Sequence, residues 1–98
     1  MSTEQMSHYY DSLEDKYVLI DFYSDRCGPC KKIAPKLDIL MVNYDIKLVK
    51  INIEHFPDLA DQYKIKSIPT FVLLKRGREK KRIKGADIHK IKELLDEL

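Results

Sequence analysis

Two cysteines, Cys27 and Cys30, are the residues whose type and spacing point most directly to chemistry. They are the only cysteines among the 98 residues of the chain. In a reducing compartment, a C-x-x-C pair serves redox or metal chemistry more often than structural crosslinking. Zinc usually takes four ligands, and the sequence offers neither a second cysteine pair nor clustered histidines. We therefore expect a dithiol–disulfide pair that cycles during redox chemistry, and no metal site.

The cysteine pair lies where a buried strand is predicted to give way to a helix. Tyr17–Tyr23 is nearly continuous in apolar and aromatic residues, which is typical of a strand buried on both faces. Apolar residues at helical spacing then predict a helix over residues 27–44. A helix N-terminus stabilises a thiolate through its unpaired N–H groups and its dipole. We expect Cys27 to be the exposed attacking sulfur, and Cys30, one turn further on, to resolve the mixed disulfide.

The remaining pattern predicts the order α-β-α-β-α-β-β-α. The other predicted helices cover residues 2–13, a short stretch opened by Pro57, and a final stretch that is capped by Asp87 and has an apolar stripe from Ile88 to Leu98. The other strands cover residues 48–53, 70–74 and 78–84. Because helices must cover both faces of such a sheet, this order predicts an α/β fold. We expect one domain over residues 1–98, with a central mixed sheet of four to five strands.

Further short motifs accompany the cysteine pair in a fixed order. They are Val18-Leu19-Ile20-Asp21-Phe22-Tyr23, Cys27-Gly28-Pro29-Cys30-Lys31, Pro35, Lys50, Ile68-Pro69-Thr70, the turn at Gly77, Gly85 and the last helix. In this order they resemble the thioredoxin family, over nearly the whole chain from Tyr17 on. The resemblance implies a thioredoxin-like three-layer sandwich and thiol–disulfide exchange, mainly the reduction of protein disulfides.

The resemblance also implies roles for residues away from the cysteines. Pro69 is expected to be a cis-proline facing the pair, with Ile68 and Pro69 presenting backbone groups to an extended substrate segment. Asp21 is expected to be a buried carboxylate behind Cys30 that accepts its proton, with a pKa raised by burial. Lys50 is expected to point toward Asp21 and to moderate that rise.

The substrate-facing side of the predicted site includes one departure from the family. Gly28 and Pro29 are expected to lie against the substrate, but Arg26 stands where family members usually carry Trp. An arginine there is expected to lower the pKa of Cys27 and to favour acidic partners. The family's usual first strand is also expected to be reduced or missing.

The resemblance implies that no cofactor is bound and that electrons reach the Cys27–Cys30 disulfide from a separate flavoprotein similar to thioredoxin reductase. The expected partners are protein disulfides, and the chain is expected to be a monomer. Two alternatives stay open from the sequence. One is a thioredoxin-fold oxidase or isomerase, and the other is a thioredoxin-fold binding subunit with little redox activity.

Composition limits the classes of partner. The formal charge of +2 is too small to indicate nucleic-acid binding by itself. Seven basic residues between positions 75 and 84 favour a charged edge strand over a nucleic-acid site, because no aromatic residues lie among them. No stretch approaches the length of a membrane-spanning helix, and the first ten residues lack the apolar core of a signal peptide. We therefore expect a cytoplasmic protein.

Overall fold

The computed structural model describes residues 16–98. The predicted helix over residues 2–13 and the expectation of a reduced or missing first strand therefore concern residues outside the described range. The described elements follow the predicted order from the first buried strand onward. They are β1 (Tyr17–Tyr23), α1 (Gly28–Met41), β2 (Lys47–Asn52), α2 (Pro57–Gln62), β3 (Thr70–Lys75), β4 (Arg78–Lys84) and α3 (Ile88–Asp96).

Within residues 16–98 the strands form one four-stranded mixed sheet in the order β2-β1-β3-β4. Strand β1 pairs in parallel with β2 and antiparallel with β3, and β3 pairs antiparallel with β4. The predicted α/β class with a mixed sheet is therefore confirmed for this part of the chain. The basic strand β4 lies at an edge of the sheet, as its charge predicted.

Side chains of β1 alternate between two hydrophobic clusters on opposite faces of the sheet. Leu19 packs with residues of α1 and α3, whereas Ile20 packs with residues of α2. Helices therefore cover both faces, as predicted. The alternation also places Asp21 on the same face as Leu19, beneath α1, because every second strand residue points the same way.

Two predicted helix ends extended too far. One belongs to the helix predicted over residues 27–44, for which Cys27 is the N-cap and which, as α1, ends at Met41. The N–H of Tyr44 donates to the carbonyl of Met41 at 3.2 Å. This hydrogen bond reaches three residues back instead of four, so it closes a turn and does not continue the α-helix. The last helix likewise ends at Asp96, with the N–H of Leu98 donating three residues back to Leu95 at 3.3 Å.

Candidate functional site

The two cysteines form a disulfide across the first turn of α1. Their Cα atoms are 5.2 Å apart, which is an ordinary separation for a disulfide. Cys27 is the N-cap of the helix, and its Sγ accepts a hydrogen bond of 3.1 Å from the N–H of Cys30. In the reduced protein this N–H is available to stabilise a thiolate on Cys27, because a helix N-terminus favours negative charge.

The expected contrast in exposure between the two cysteines is small. Cys27 is 8% exposed and Cys30 is 6% exposed, so Cys27 is not the exposed residue that the sequence suggested. Cys27 lies against the helix turn that it caps and is bonded to Cys30 within that turn. The helix geometry, rather than exposure, distinguishes the two sulfurs, because only Cys27 receives the capping N–H.

Asp21 is a buried carboxylate on the strand beneath α1. It is 4% exposed, and its Oδ1 has no hydrogen-bond partner among the described residues. Burial raises the pKa of Asp21 to about 6, because the ionised carboxylate loses its contact with water. Such a group exchanges a proton near neutral pH, which is the property predicted for it.

Asp21 and Cys30 line the same cavity, which has a volume of about 200 Å³. A space of that size has room for several water molecules, since each takes about 30 Å³ in the liquid. A proton can therefore move from the Cys30 thiol to the unpartnered carboxylate oxygen directly or through water. Among the described residues, the lining consists of Asp21, Tyr23, Ser24, Asp25, Cys30, Lys31, Ala34 and Lys50.

Lys50 lies beside Asp21, since the two residues are register partners on β2 and β1. The positive charge of Lys50 lowers the pKa of Asp21, in the direction expected from the sequence, although burial has the larger effect. The ammonium group pairs elsewhere: its Nζ lies 3.1 Å from Oδ1 of Asp38 on α1. The negative charge of Asp38 in turn raises the pKa of Asp21.

Asp38 is a residue of this site that the sequence analysis missed. A signal existed, because positions 30, 34 and 38 are four residues apart and share one face of a helix. Cys30 and Ala34 on that face line the cavity, and Asp38 reaches the lysine at its edge. Without the strand register, however, nothing in the sequence linked Asp38 to Lys50.

The peptide bond between Ile68 and Pro69 is cis, which confirms the predicted geometry. Pro69 is fully buried, and its carbonyl accepts a hydrogen bond of 2.9 Å from the N–H of Gly85. Gly85 has a φ of 98°, a conformation that favours glycine. The hydroxyl of Thr70 donates to the carbonyl of Ser67 at 2.7 Å, which closes the other side of the loop. Ile68 itself is half-buried.

Arg26, Gly28 and Pro29 are exposed around the disulfide. This is the part of the site that the sequence predicted to lie against a substrate. Residues 16–98 contain no group of three or more histidine, cysteine or acidic side chains placed to hold a metal ion. No helix in the same range has the length and apolar character to cross a membrane.

Comparison with known proteins extends the likeness beyond the cysteine motif. A sequence model of the Thioredoxin family matches residues 2–97. Thioredoxin-T of Drosophila melanogaster is 44% identical over 85 residues, which cover 85% of this chain and 54% of that protein. Thioredoxin-1 of the same species is 36% identical over 102 residues, which cover 99% of this chain and 95% of that protein.

The solved structures give the same result. The thioredoxin of Fasciola hepatica superposes with a TM-score of 0.91 at 27% sequence identity, and the match covers 96% of this chain and 91% of the other. This likeness confirms the predicted three-layer sandwich. The agreement extends over the strands, the helices and the order in which they occur, so it does not rest on the two cysteines alone.

Proposed function

Since this chain belongs to the thioredoxin family, we propose that it works mainly as a reductant of protein disulfides. The Cys27–Cys30 pair makes it a thiol–disulfide oxidoreductase. The observation that carries the proposal is the placement of this pair at the start of α1, next to a buried carboxylate with a raised pKa. That arrangement supplies a nucleophile and a proton acceptor for the two steps of disulfide exchange.

In the first step, the Cys27 thiolate attacks one sulfur of a target disulfide. A bond forms between Cys27 Sγ and that sulfur, the target S–S bond breaks, and the second target sulfur leaves as a thiolate that takes a proton from water. The N–H of Cys30 stabilises the attacking thiolate, because it already points at Cys27 Sγ. The product is a mixed disulfide between the two proteins.

In the second step, Asp21 accepts the proton of the Cys30 thiol through the shared cavity. The Cys30 thiolate then attacks Cys27 Sγ, which forms the internal disulfide, breaks the mixed disulfide and releases the target sulfur that Cys27 had attacked as a thiolate. Two electrons have passed to the target. Lys50 keeps Asp21 able to ionise near neutral pH, since its charge opposes the effect of burial.

The surroundings of the pair support the choice of reductant over oxidase or isomerase. Gly28 and Pro29, between the cysteines, carry no charge that would further stabilise the reduced form. A reductant needs an electron source, and we propose a separate flavoprotein reductase similar to thioredoxin reductase. The proposal includes a monomer that acts in the cytoplasm, where reducing conditions would keep the pair supplied with electrons.

Substrate contacts are the other part of the proposal. The loop of Ile68 and Pro69 would pair its backbone with an extended target segment, and Gly28 and Pro29 would lie against the target sulfurs. Arg26, at the exposed side of the disulfide, would contact the target residues that flank the target disulfide. The exposure of Arg26, Gly28 and Pro29 supports this assignment.

The test is the reduction of insulin disulfides in the presence of dithiothreitol, followed for the wild-type protein and for Cys27→Ser and Cys30→Ser. We expect both variants to lose turnover and Cys30→Ser alone to accumulate a mixed disulfide at Cys27, visible by mass spectrometry. Equal rates for wild type and Cys27→Ser would refute the proposal.

The reduction potential of the Cys27–Cys30 disulfide, measured by equilibration with glutathione, distinguishes a reductant from an isomerase. It should lie near that of thioredoxin, about −270 mV, whereas a value near about −180 mV would favour an isomerase.

A further inference from the structure

A groove of about 360 Å³ opens beside the cysteine motif, on the side away from the Asp21 cavity. Gly28 and Pro29 form its end nearest the disulfide, Ile33 and Ile88 form an apolar floor, and Lys32 and Lys36 lie along its rim. The volume falls within the range of about 300–1,000 Å³ typical of binding sites. A polypeptide bound here would continue directly from a target disulfide held at Cys27.

The charge of this region is one-sided. Residues 25–37 contain Arg26, Lys31, Lys32 and Lys36 against one acid, Asp25. All four basic side chains belong to exposed residues, and none of them has an ion-pair partner within residues 16–98. Lys32 and Lys36, which line the groove, are therefore not neutralised by an ion pair in the described part of the chain. Asp87, between the lining residues Ala86 and Ile88, accepts hydrogen bonds from the N–H groups of His89 and Lys90 instead.

The positions of the lysines are unfavourable for the isolated helix. Lys32 and Lys36 are four residues apart on one face of α1, where like charges repel. This repulsion is relieved when negative groups bind along the groove.

We propose that this groove binds an acidic segment of the target protein, so that the chain prefers disulfides flanked by aspartate or glutamate. The preference rests on the proposed reductant function, and it names the chemistry of the substrate for that same site. Carboxylates pair with Lys32 and Lys36, and an apolar residue of the same segment covers Ile33 and Ile88. A single-stranded nucleic acid fits less well, since none of residues 16–98 supplies the groove with an aromatic side chain on which a base could stack.

The experiment uses reduced protein and three peptides that share one disulfide-bonded core, with a fluorophore and a quencher on opposite sides of the disulfide. Their flanking residues are aspartate, glutamine or lysine. Single-turnover rates should favour the acidic peptide over the neutral one by about 3- to 10-fold at about 0.01 M ionic strength. This preference should shrink at about 0.15 M ionic strength, because salt screens exposed charges.

The variant Lys32→Gln/Lys36→Gln should reduce the ratio of acidic to neutral rates toward one, and Lys32→Arg/Lys36→Arg should retain it. Lys47→Gln/Lys80→Gln is the matched control. Both of its residues are exposed, and Lys47 pairs with Val18 at the start of β1, at the end of the sheet away from Cys27. The control should leave the ratio unchanged.

Several outcomes would overturn the preference while leaving the proposed function intact. The first is equal wild-type rates for all three peptides. The second is a glutamine variant that slows the acidic and neutral peptides by the same factor, which would mean that the lysines act on Cys27 instead of on the target. Two other outcomes would assign the groove to a different occupant. In one, an oligonucleotide inhibits reduction of the acidic peptide but polyglutamate does not. In the other, the wild-type protein is a dimer and Lys32→Gln/Lys36→Gln is a monomer. If wild-type protein reduces none of the peptides, the proposed function itself fails.

Discussion

The folded protein is more stable when Asp21 is protonated than when it is ionised. Its pKa is 3.8 in an exposed setting and about 6 in the folded chain, so the folded state holds the proton more tightly. The stabilising contribution is complete below about pH 4 and is lost as the pH rises through about 6. Above that pH the buried charge lowers the free energy of unfolding by about 3 kcal/mol, since each pKa unit corresponds to about 1.4 kcal/mol.

The variant Asp21→Asn should therefore be more stable than the wild type at pH 8, by about 2 kcal/mol, because a neutral amide carries no buried charge. The gain is smaller than about 3 kcal/mol because the buried amide also loses some hydration. The difference should disappear near pH 4. Denaturant unfolding of the oxidised protein across this pH range measures it. Asp45→Asn, which replaces an exposed carboxylate, is the control and should show no such trend. A gain for Asp21→Asn that is the same at every pH would contradict the assignment of the buried charge.

Lys50 and Asp38 should shift the pKa of Asp21 in opposite directions. Lys50→Met removes the positive charge that lowers this pKa, so we expect the pKa to rise above about 6. Asp38→Asn removes a negative charge and releases Lys50 from its ion pair, so we expect the pKa to fall. The carboxyl carbon-13 shift of Asp21, recorded against pH in the oxidised protein, reports the change directly.

Lys47→Met is the control for this pair, because it removes the same charge from the far end of the same strand. It should leave the titration of Asp21 close to that of the wild type. A shift in the same direction for Lys50→Met and Asp38→Asn would show that the two charges do not act on the carboxylate as opposed neighbours.

Side-chain type and spacing predicted the roles of Cys27 and Cys30, because two thiols at a helix start stand out locally. The role of Asp21 was predicted from the resemblance to the thioredoxin family. Asp38 could not be predicted in this way, since its connection to the site depends on which β2 residue lies beneath α1. Register between strands distant in sequence is set by the whole sheet, which a local pattern does not contain.

At the scale of elements, α2 ends in a Schellman motif built on an unusual residue. The N–H of Ile65 donates to the carbonyl of Ala60 at 2.9 Å, and the N–H of Lys64 donates to the carbonyl of Asp61 at 3.0 Å. Lys64 has a φ of 54°, the left-handed conformation that this motif usually assigns to glycine. A side chain in that conformation costs about 1–2 kcal/mol.

Lys64→Gly should raise the free energy of unfolding by about 0.5–1 kcal/mol. Removing the side chain relieves the left-handed strain, and the greater chain entropy of glycine in the unfolded state offsets part of the gain. Denaturant unfolding at pH 7 measures the change.

Lys66→Gly is the matched control for Lys64→Gly. Lys66 is also exposed, but it does not have a positive φ, so glycine there should give no gain. If the two variants had equal effects, the strain at Lys64 would not be the reason for any change in stability.

Helix ends are also where prediction of the elements fell short. The apolar spacing that predicted α1 continues to Tyr44, yet the helix stops at Met41 because turn hydrogen bonds replace helical ones. Strands β1 and β4 were predicted with the correct bounds, because each is enclosed by abrupt changes in residue type. Periodicity therefore identifies an element well but does not show where competing hydrogen bonds end it.

At the scale of the whole molecule, the two faces of the sheet carry separate hydrophobic clusters that share one set of strands. Ile91 of α3 is fully buried in the cluster beneath the site-bearing helix α1, and Leu59 of α2 is buried in the opposite one. Neither cluster persists without the sheet between them. Loss of packing on one face should therefore destabilise the other face to the same extent.

Ile91→Ala and Leu59→Ala should each lower the free energy of unfolding by about 2–5 kcal/mol, through lost burial and the cavity left behind. Each variant should still unfold in one transition, with far-ultraviolet circular dichroism and tyrosine fluorescence coincident, because the clusters share the sheet. Ile39→Ala, which truncates a residue of α1 that is 73% exposed, is the control and should change stability by less than about 0.5 kcal/mol. Two separated transitions in either core variant would mean that the faces unfold independently, and the site on α1 would then have a stability of its own, separate from that of the α2 face.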